Sequence, residues 1–197
     1  KTLLSDYPDS SLNREMLFGF GQRLYSKAKS HKTTAEKNDK ALTREELLVE
    51  SAAAFEHVLA WFPAHEENDR AMLSLCSAYL EAGKFDLADG AARLAAARFI
   101  KSRFIDTFDY TQAFALFAQK KFPEALTLCD KLETLDYGAK ANPGPGVIRT
   151  QAVLMKAQIF HAKGEMDKAV ENYKKVKAKS ADAARSIAFL EREAISV

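Results

Sequence analysis

His57, His65, Glu66 and Glu67 are the one place in this sequence where histidines and acids gather closely enough to suggest metal or acid–base chemistry. Their spacing argues against both. His57 and His65 lie on either side of Pro63, which stops a helix, so no helical turn presents the two imidazoles together. His65-Glu66-Glu67 also lacks the second histidine of the helical metalloprotease pattern. Nucleophilic catalysis needs a base within hydrogen-bond reach of a serine or cysteine, and nothing in the spacing supplies one. Cys76 and Cys129, the two cysteines, fall inside apolar helical patterns and read as buried free thiols. Gly19-Phe20-Gly21 follows no strand and lacks the third glycine of a dinucleotide-binding turn. The sequence therefore implies no catalytic residue, no metal and no cofactor, and the expectation is a protein that is not an enzyme.

Composition narrows the remaining classes. Hydrophobic residues make up 47% of the 197 and charged residues 28%, the balance of an ordered, packed chain. A net charge of +2 is too small to point to nucleic acid as a partner. Basic residues do gather between Gln22 and Arg44, which reads as a solvated connector with a docking surface for an acidic partner as the sharper alternative. No stretch approaches the roughly 20 apolar residues needed to span a bilayer, so no membrane insertion is expected within this segment. The abrupt ends at Lys1 and Val197 suggest a single domain, 1–197, cut from a longer protein.

Helices must position whatever these residues do, and one stretch sets their layout. An eleven-residue pattern occurs at 78–88, 115–125 and 159–169. In each copy a large apolar residue (Tyr79, Leu116, Phe160) ends one helical run, and a break follows at Gly83, Lys120 or Gly164. An apolar plug (Phe85, Phe122, Met166) and a small residue (Ala88, Ala125, Ala169) then open the next helix. Before the first copy, Leu17, Phe20, Leu24 and Ala28 recur at helical spacing, interrupted by Gly19 and Gly21, which imply a close backbone contact with a neighbouring helix. Thr43 with Glu46 forms a capping-box pattern for a helix running to about Phe62. Further helices are expected from just after Asn68-Asp69 to the break at Gly83, and at about Phe85–Phe99, Arg103–Gln119 and Pro123–Leu135, with proline tolerated in the first turn of the last. Residues 29–42 read as a Lys-rich insertion and 136–147 as a loop. The fourth pair is expected at Ile148–Lys163 and Met166–Lys179, with a last helix at about Ala181–Ala194 covering the end of the stack.

At this point the chain resembles the tetratricopeptide-repeat family, whose unit is two antiparallel helices of about 34 residues with interlocking small and large positions. Cys76, Ala113 and Ala157 stand where the family places a small residue facing the second helix. The opening residues Ser51, Ala88 and Ala125 follow at 37-residue steps and Ala169 comes 44 later, so the repeats are divergent and lengthened. The family's tryptophan is missing from each first helix, and proline closes only the first pair. The resemblance implies an all-α fold: a right-handed α-α superhelix of about four helical pairs plus a C-terminal capping helix.

It also implies that the first helix of each pair lines a concave groove. The inward positions would be Arg23 and Lys27 in the first pair, and Arg70, Leu73, Ser77 and Glu81 in the second. Tyr110, Phe114 and Phe117 follow in the third, and Leu154, Gln158 and His161 in the fourth. Such a groove has an aromatic middle and polar ends, suited to a peptide or partner protein. Phe114 and Phe117 at helical spacing read equally as core. Leu73, Ser77, Tyr110 and Thr111 cannot form the carboxylate clamp of chaperone-binding members. The function expected is a non-catalytic protein-binding scaffold; the alternative is a structural spacer within a larger envelope or extracytoplasmic protein.

Overall fold

Eight α-helices and no strand account for the described residues of this computed structural model, which are 10–31, 42–134, 145–176 and 185–186. The chain divides into two compact units, Lys1–Phe99 and Ile100–Val197. The first holds α1 (Ser11–Ser30), α2 (Arg44–Trp61), α3 (Asn68–Glu81) and α4 (Phe85–Arg98). The second holds α5 (Ile105–Ala118), α6 (Phe122–Thr134), α7 (Pro145–Ala162) and α8 (Met166–Val176). Within each unit every helix packs against the next one along the chain, and in the second unit α5 also meets α7.

The repeated pattern becomes one repeated turn. At the end of α3 the Gly83 N–H donates to the Leu80 carbonyl (3.0 Å) and the Lys84 N–H to the Tyr79 carbonyl (2.9 Å). Those two bonds, with a left-handed residue between, are the Schellman closure of a helix C-terminus. Lys120 and Lys121 donate to Phe117 and Leu116 at the end of α5, and Gly164 and Glu165 to His161 and Phe160 at the end of α7, each at 2.9–3.0 Å. The hinge residues have φ of +69° at Gly83, +61° at Lys120 and +76° at Gly164. Ala88, Ala125 and Ala169, on the first turn of each following helix, are all fully buried. Ser51, placed in the same series, is buried too, and its Oγ donates to the Gly21 carbonyl at 2.8 Å.

The capping box at α2 forms as expected: the Glu46 N–H donates to Thr43 Oγ1 (3.2 Å) and the Thr43 N–H to Glu46 Oε2 (2.7 Å). The hydrogen bonds that the Glu46 carboxylate accepts from the Thr43 N–H and hydroxyl hold it below its ordinary pKa. Pro123 lies in the first turn of α6. Asn68, fully buried, joins α2 to α3 by donating from Nδ2 to the Phe62 and Pro63 carbonyls (2.7 and 3.1 Å).

Three expectations are corrected. Helix α1 runs unbroken through Gly19 and Gly21, and only Gly21 makes the close contact. A Cβ there would come 2.8 Å from the Phe55 ring, whereas at Gly19 it would meet nothing within 4 Å. The buried face of α1 is also turned: Phe18, not Phe20, packs inward, in contact with Phe55 at 5.5 Å between ring centroids. At the other correction, α7 starts at Pro145, so 145–147 are helix rather than loop. Residues 32–41, 135–144 and most of the expected capping helix lie outside the described residues. Within the last, Arg185 and Ser186 are helical, and the Ser186 hydroxyl hydrogen-bonds the Tyr173 phenol.

Candidate functional site

In the first unit, Arg70, Ser77 and Glu81 share one face of α3, at seven- and four-residue steps. Arg70 lays its guanidinium over the Phe18 ring at 5.4 Å, and Arg14 approaches the same ring at 5.8 Å. Arg14 is only 1% exposed and pairs with Glu15 (2.6 Å), but its Nε has no partner. Ser77 Oγ donates back to the Leu73 carbonyl at 3.0 Å. Glu81 is tied to the helices before it: its carboxylate pairs with Arg44 and, at 3.7 Å, with Lys29, and its carbonyl accepts from Arg44 at 3.1 Å. Burial, and then the charge of Glu81, raise the pKa of the nearby Tyr25 phenol.

Arg23 and Lys27 sit elsewhere. Both are exposed, on the arc of α1 opposite Phe18 and Gly21, so the residues expected to line the first pair do not share the side of α1 on which Arg70 lies.

In the second unit, Tyr110, Phe114 and Phe117 share a face of α5. Tyr110 and Phe117 are half-buried against a core that includes Ala113, Leu116, Ala125, Cys129 and Ile159. Burial, with a smaller contribution from Cys129, pushes the Tyr110 phenol up to about 12. Phe117 contacts Phe114 edge-on at 6.5 Å and Phe122 at 6.1 Å. Only Phe114 reaches solvent substantially, at 36%. Gln158 is exposed on α7, and half-buried His161 meets the Tyr173 ring edge-on at 6.5 Å. The structure thus brings the three aromatics together and divides them, two serving the core and one the surface.

Several buried polar groups escaped the reading of the sequence. Asp106, one turn before Tyr110, is fully buried; burial raises its pKa despite hydrogen bonds from Thr107, and its Oδ2 has no partner. Asp109, also buried, pairs with Lys131 at 2.7 Å. Lys156 reaches Asp130 and Glu133, each at 2.6 Å. Burial lowers the Lys156 pKa, but those hydrogen bonds and charges outweigh it and the net shift is upward. Asp106 in the first turn of α5 and Asp109 just after it look like ordinary helix-start residues, so their sequence carried no sign of burial.

The Cys76 and Cys129 thiols are buried, which pushes each up to about 12 and leaves neither as a thiolate nucleophile. His65 Nδ1 accepts from the Glu67 N–H at 3.2 Å, and His57 stacks on Trp61 with centroids 5.1 Å apart. Among the described residues no group of three or more His, Cys, Asp or Glu side chains could hold a metal ion, and no helix is long and apolar enough to cross a membrane. No protein-family model matches the sequence, and no curated protein matches it.

Proposed function

We propose that this chain is a non-catalytic helical-repeat scaffold of the tetratricopeptide-repeat type that binds a peptide or partner protein. In this reading the pairs stack with the right-handed turn that the resemblance implies, and the first helix of each pair faces the ligand on the concave side. The observation that carries it is the thrice-repeated turn, with one hydrogen-bond pattern, a left-handed hinge and a buried alanine after it. Repeats of this kind gain stability by stacking neighbours and commonly bind extended partners on the face that their first helices line.

Within the first unit the ligand face is the Arg70–Ser77–Glu81 stripe of α3, and within the second it is Phe114 of α5 with Gln158 and His161 of α7. Phe114 is the anchor, since it is aromatic, exposed and supported from behind by Phe117. A peptide selected against the whole chain from a random display library tests this. Phe114→Ala should weaken peptides held by the second unit, and Arg70→Ala those held by the first, by about tenfold or more with little change in melting temperature. If peptides selected in this way bind equally well to both variants, the reading is wrong.

A further inference from the structure

Helix α1 has one face in use and one that is exposed and, among the described residues, without a neighbour. Phe18, Gly21 and Ala28 are buried on the inner side. On the outer side Leu12, Met16 and Phe20 follow at four-residue steps and are 71%, 59% and 47% exposed. Arg23 and Lys27 continue the same stripe, both exposed and neither in an ion pair among the described residues. Gly19 lies at the edge of the stripe, where a Cβ would meet nothing within 4 Å. A glycine inside a helix weakens it unless something needs its small size. For Gly21 that something is Phe55; for Gly19 nothing in the described residues supplies it.

We propose that this outer face of α1 docks an amphipathic helix of a partner protein, running antiparallel to α1 and acidic in its N-terminal half. The apolar half of the stripe takes the partner's apolar residues, and Gly19 lets the two backbones approach closely. Arg23 and Lys27 face the partner's N-terminal turns, where carboxylates are also favoured by the helix dipole. The division runs end to end: cations stand in line with the apolar residues. A helix lying on a membrane surface divides side to side instead, with its apolar face continuous along its length. A second copy of this chain fits no better. An antiparallel α1–α1 contact sets Arg23 and Lys27 against Leu12 and Met16, and a parallel one sets cation against cation. The one acid of α1, Glu15, is already held by Arg14.

The proposal stands apart from the ligand face described above, because Arg70 and Phe114 lie on other helices. The probe is a fluorescein-labelled synthetic helical peptide with leucines in its C-terminal half and glutamates in line with them in its N-terminal half. Its twin carries lysines for glutamates. By fluorescence anisotropy with the full chain, the acidic peptide should bind about tenfold or more tighter than its twin and weaken as salt is raised. Met16→Glu, and Arg23→Glu with Lys27→Glu, should each reduce binding about tenfold or more at an unchanged melting temperature, since these side chains are exposed. Phe114→Ala should leave it intact, which separates this face from the other. Equal binding of the two peptides, or none by either at about 100 µM, overturns the proposal. So does Met16-dependent dimerisation in sedimentation, or Met16-dependent binding to phosphatidylserine vesicles in place of the peptide.

Discussion

The two units use their candidate ligand residues differently: the first keeps them out of its core, whereas the second commits Tyr110 and Phe117 to it and leaves Phe114 at the surface. In the first, Arg70, Ser77 and Glu81 lie outside a core built from residues such as Leu47, Leu48, Phe55, Val58, Met72 and Leu75. Arg70 lies over the Phe18 ring, Glu81 pairs with Lys29 and Arg44, and Ser77 bonds to the backbone of its own helix. In the second, small residues sit at the crossings of α5, α6 and α7: Ala113, Ala125 and Ala152 are fully buried there. Alanines leave space between helices, and a close-packed interior must fill it. Tyr110 and Phe117 do so. A position on the first helix of a pair is therefore not a ligand position by itself; the volume of its neighbours decides whether the side chain is free to bind.

Truncation should expose this contrast most strongly. Phe117→Ala removes a half-buried ring from between Phe114 and Phe122 and should destabilise the chain by roughly 2–3 kcal/mol, below the full range for a completely buried phenylalanine. Arg70→Ala loses only one contact with the Phe18 ring and should cost less than about 1 kcal/mol. Urea denaturation of the two variants measures both. Equal losses would mean that the aromatic face of α5 is as dispensable to the core as the polar face of α3.

The sequence shows some of this plainly. Turns were legible because backbone geometry restricts residue type: glycine at Gly83 and Gly164 marks a left-handed residue, and matching the middle copy to these two identified Lys120. Capping at Thr43 and Glu46 was legible for the same reason, since both bonds are local. Facing was not. Leu17, Phe20, Leu24 and Ala28 fit one helical stripe, and Ala28 is indeed buried with Leu24 packed beside it, but Phe20 is exposed; Phe18 and Gly21 take its place because they meet Phe55. Buried charges were hidden too. Asp109 and Lys131 are distant in sequence and meet only because α5 and α6 pack together. Of the candidate residues, the sequence placed each in a helix that forms but could not tell exposed Phe114 from half-buried Phe117.

Two glycines in one helix sharpen the same point within the first unit. Gly21→Ala drives a methyl toward the Phe55 ring at 2.8 Å and toward the Ala54 Cβ at 3.2 Å. It also disturbs the carbonyl that receives the Ser51 hydroxyl. Overpacking of this kind costs about 1–3 kcal/mol. Gly19→Ala, two residues earlier and with open space around it, should stabilise by about 0.5–1 kcal/mol through helix propensity alone. Thermal melts of the pair should therefore move in opposite directions. If both fall, Gly19 has an internal role and the α1 face is not an open one.

The smallest effect concerns the hinges. All three turns share their hydrogen bonds, yet two use glycine and one uses Lys120 at φ +61°. A side chain in the left-handed region crowds its own carbonyl, which costs on the order of 1 kcal/mol; glycine avoids that but loses more freedom on folding. The first contribution is the larger at a helix C-terminus, which is why glycine dominates this position in helix closures. Lys120→Gly should therefore stabilise the second unit by somewhat under about 1 kcal/mol, raising the melting temperature by about 2–4 °C for a chain of this size. Gly83→Ala, the reverse exchange in the first unit, should lower it by a similar amount. Opposite signs at hinges with the same hydrogen bonds would show that the turn is fixed by the packing of the helices it joins, and that residue type only adjusts its stability. A loss at Lys120→Gly would instead assign the lysine side chain a part in holding α5 to α6.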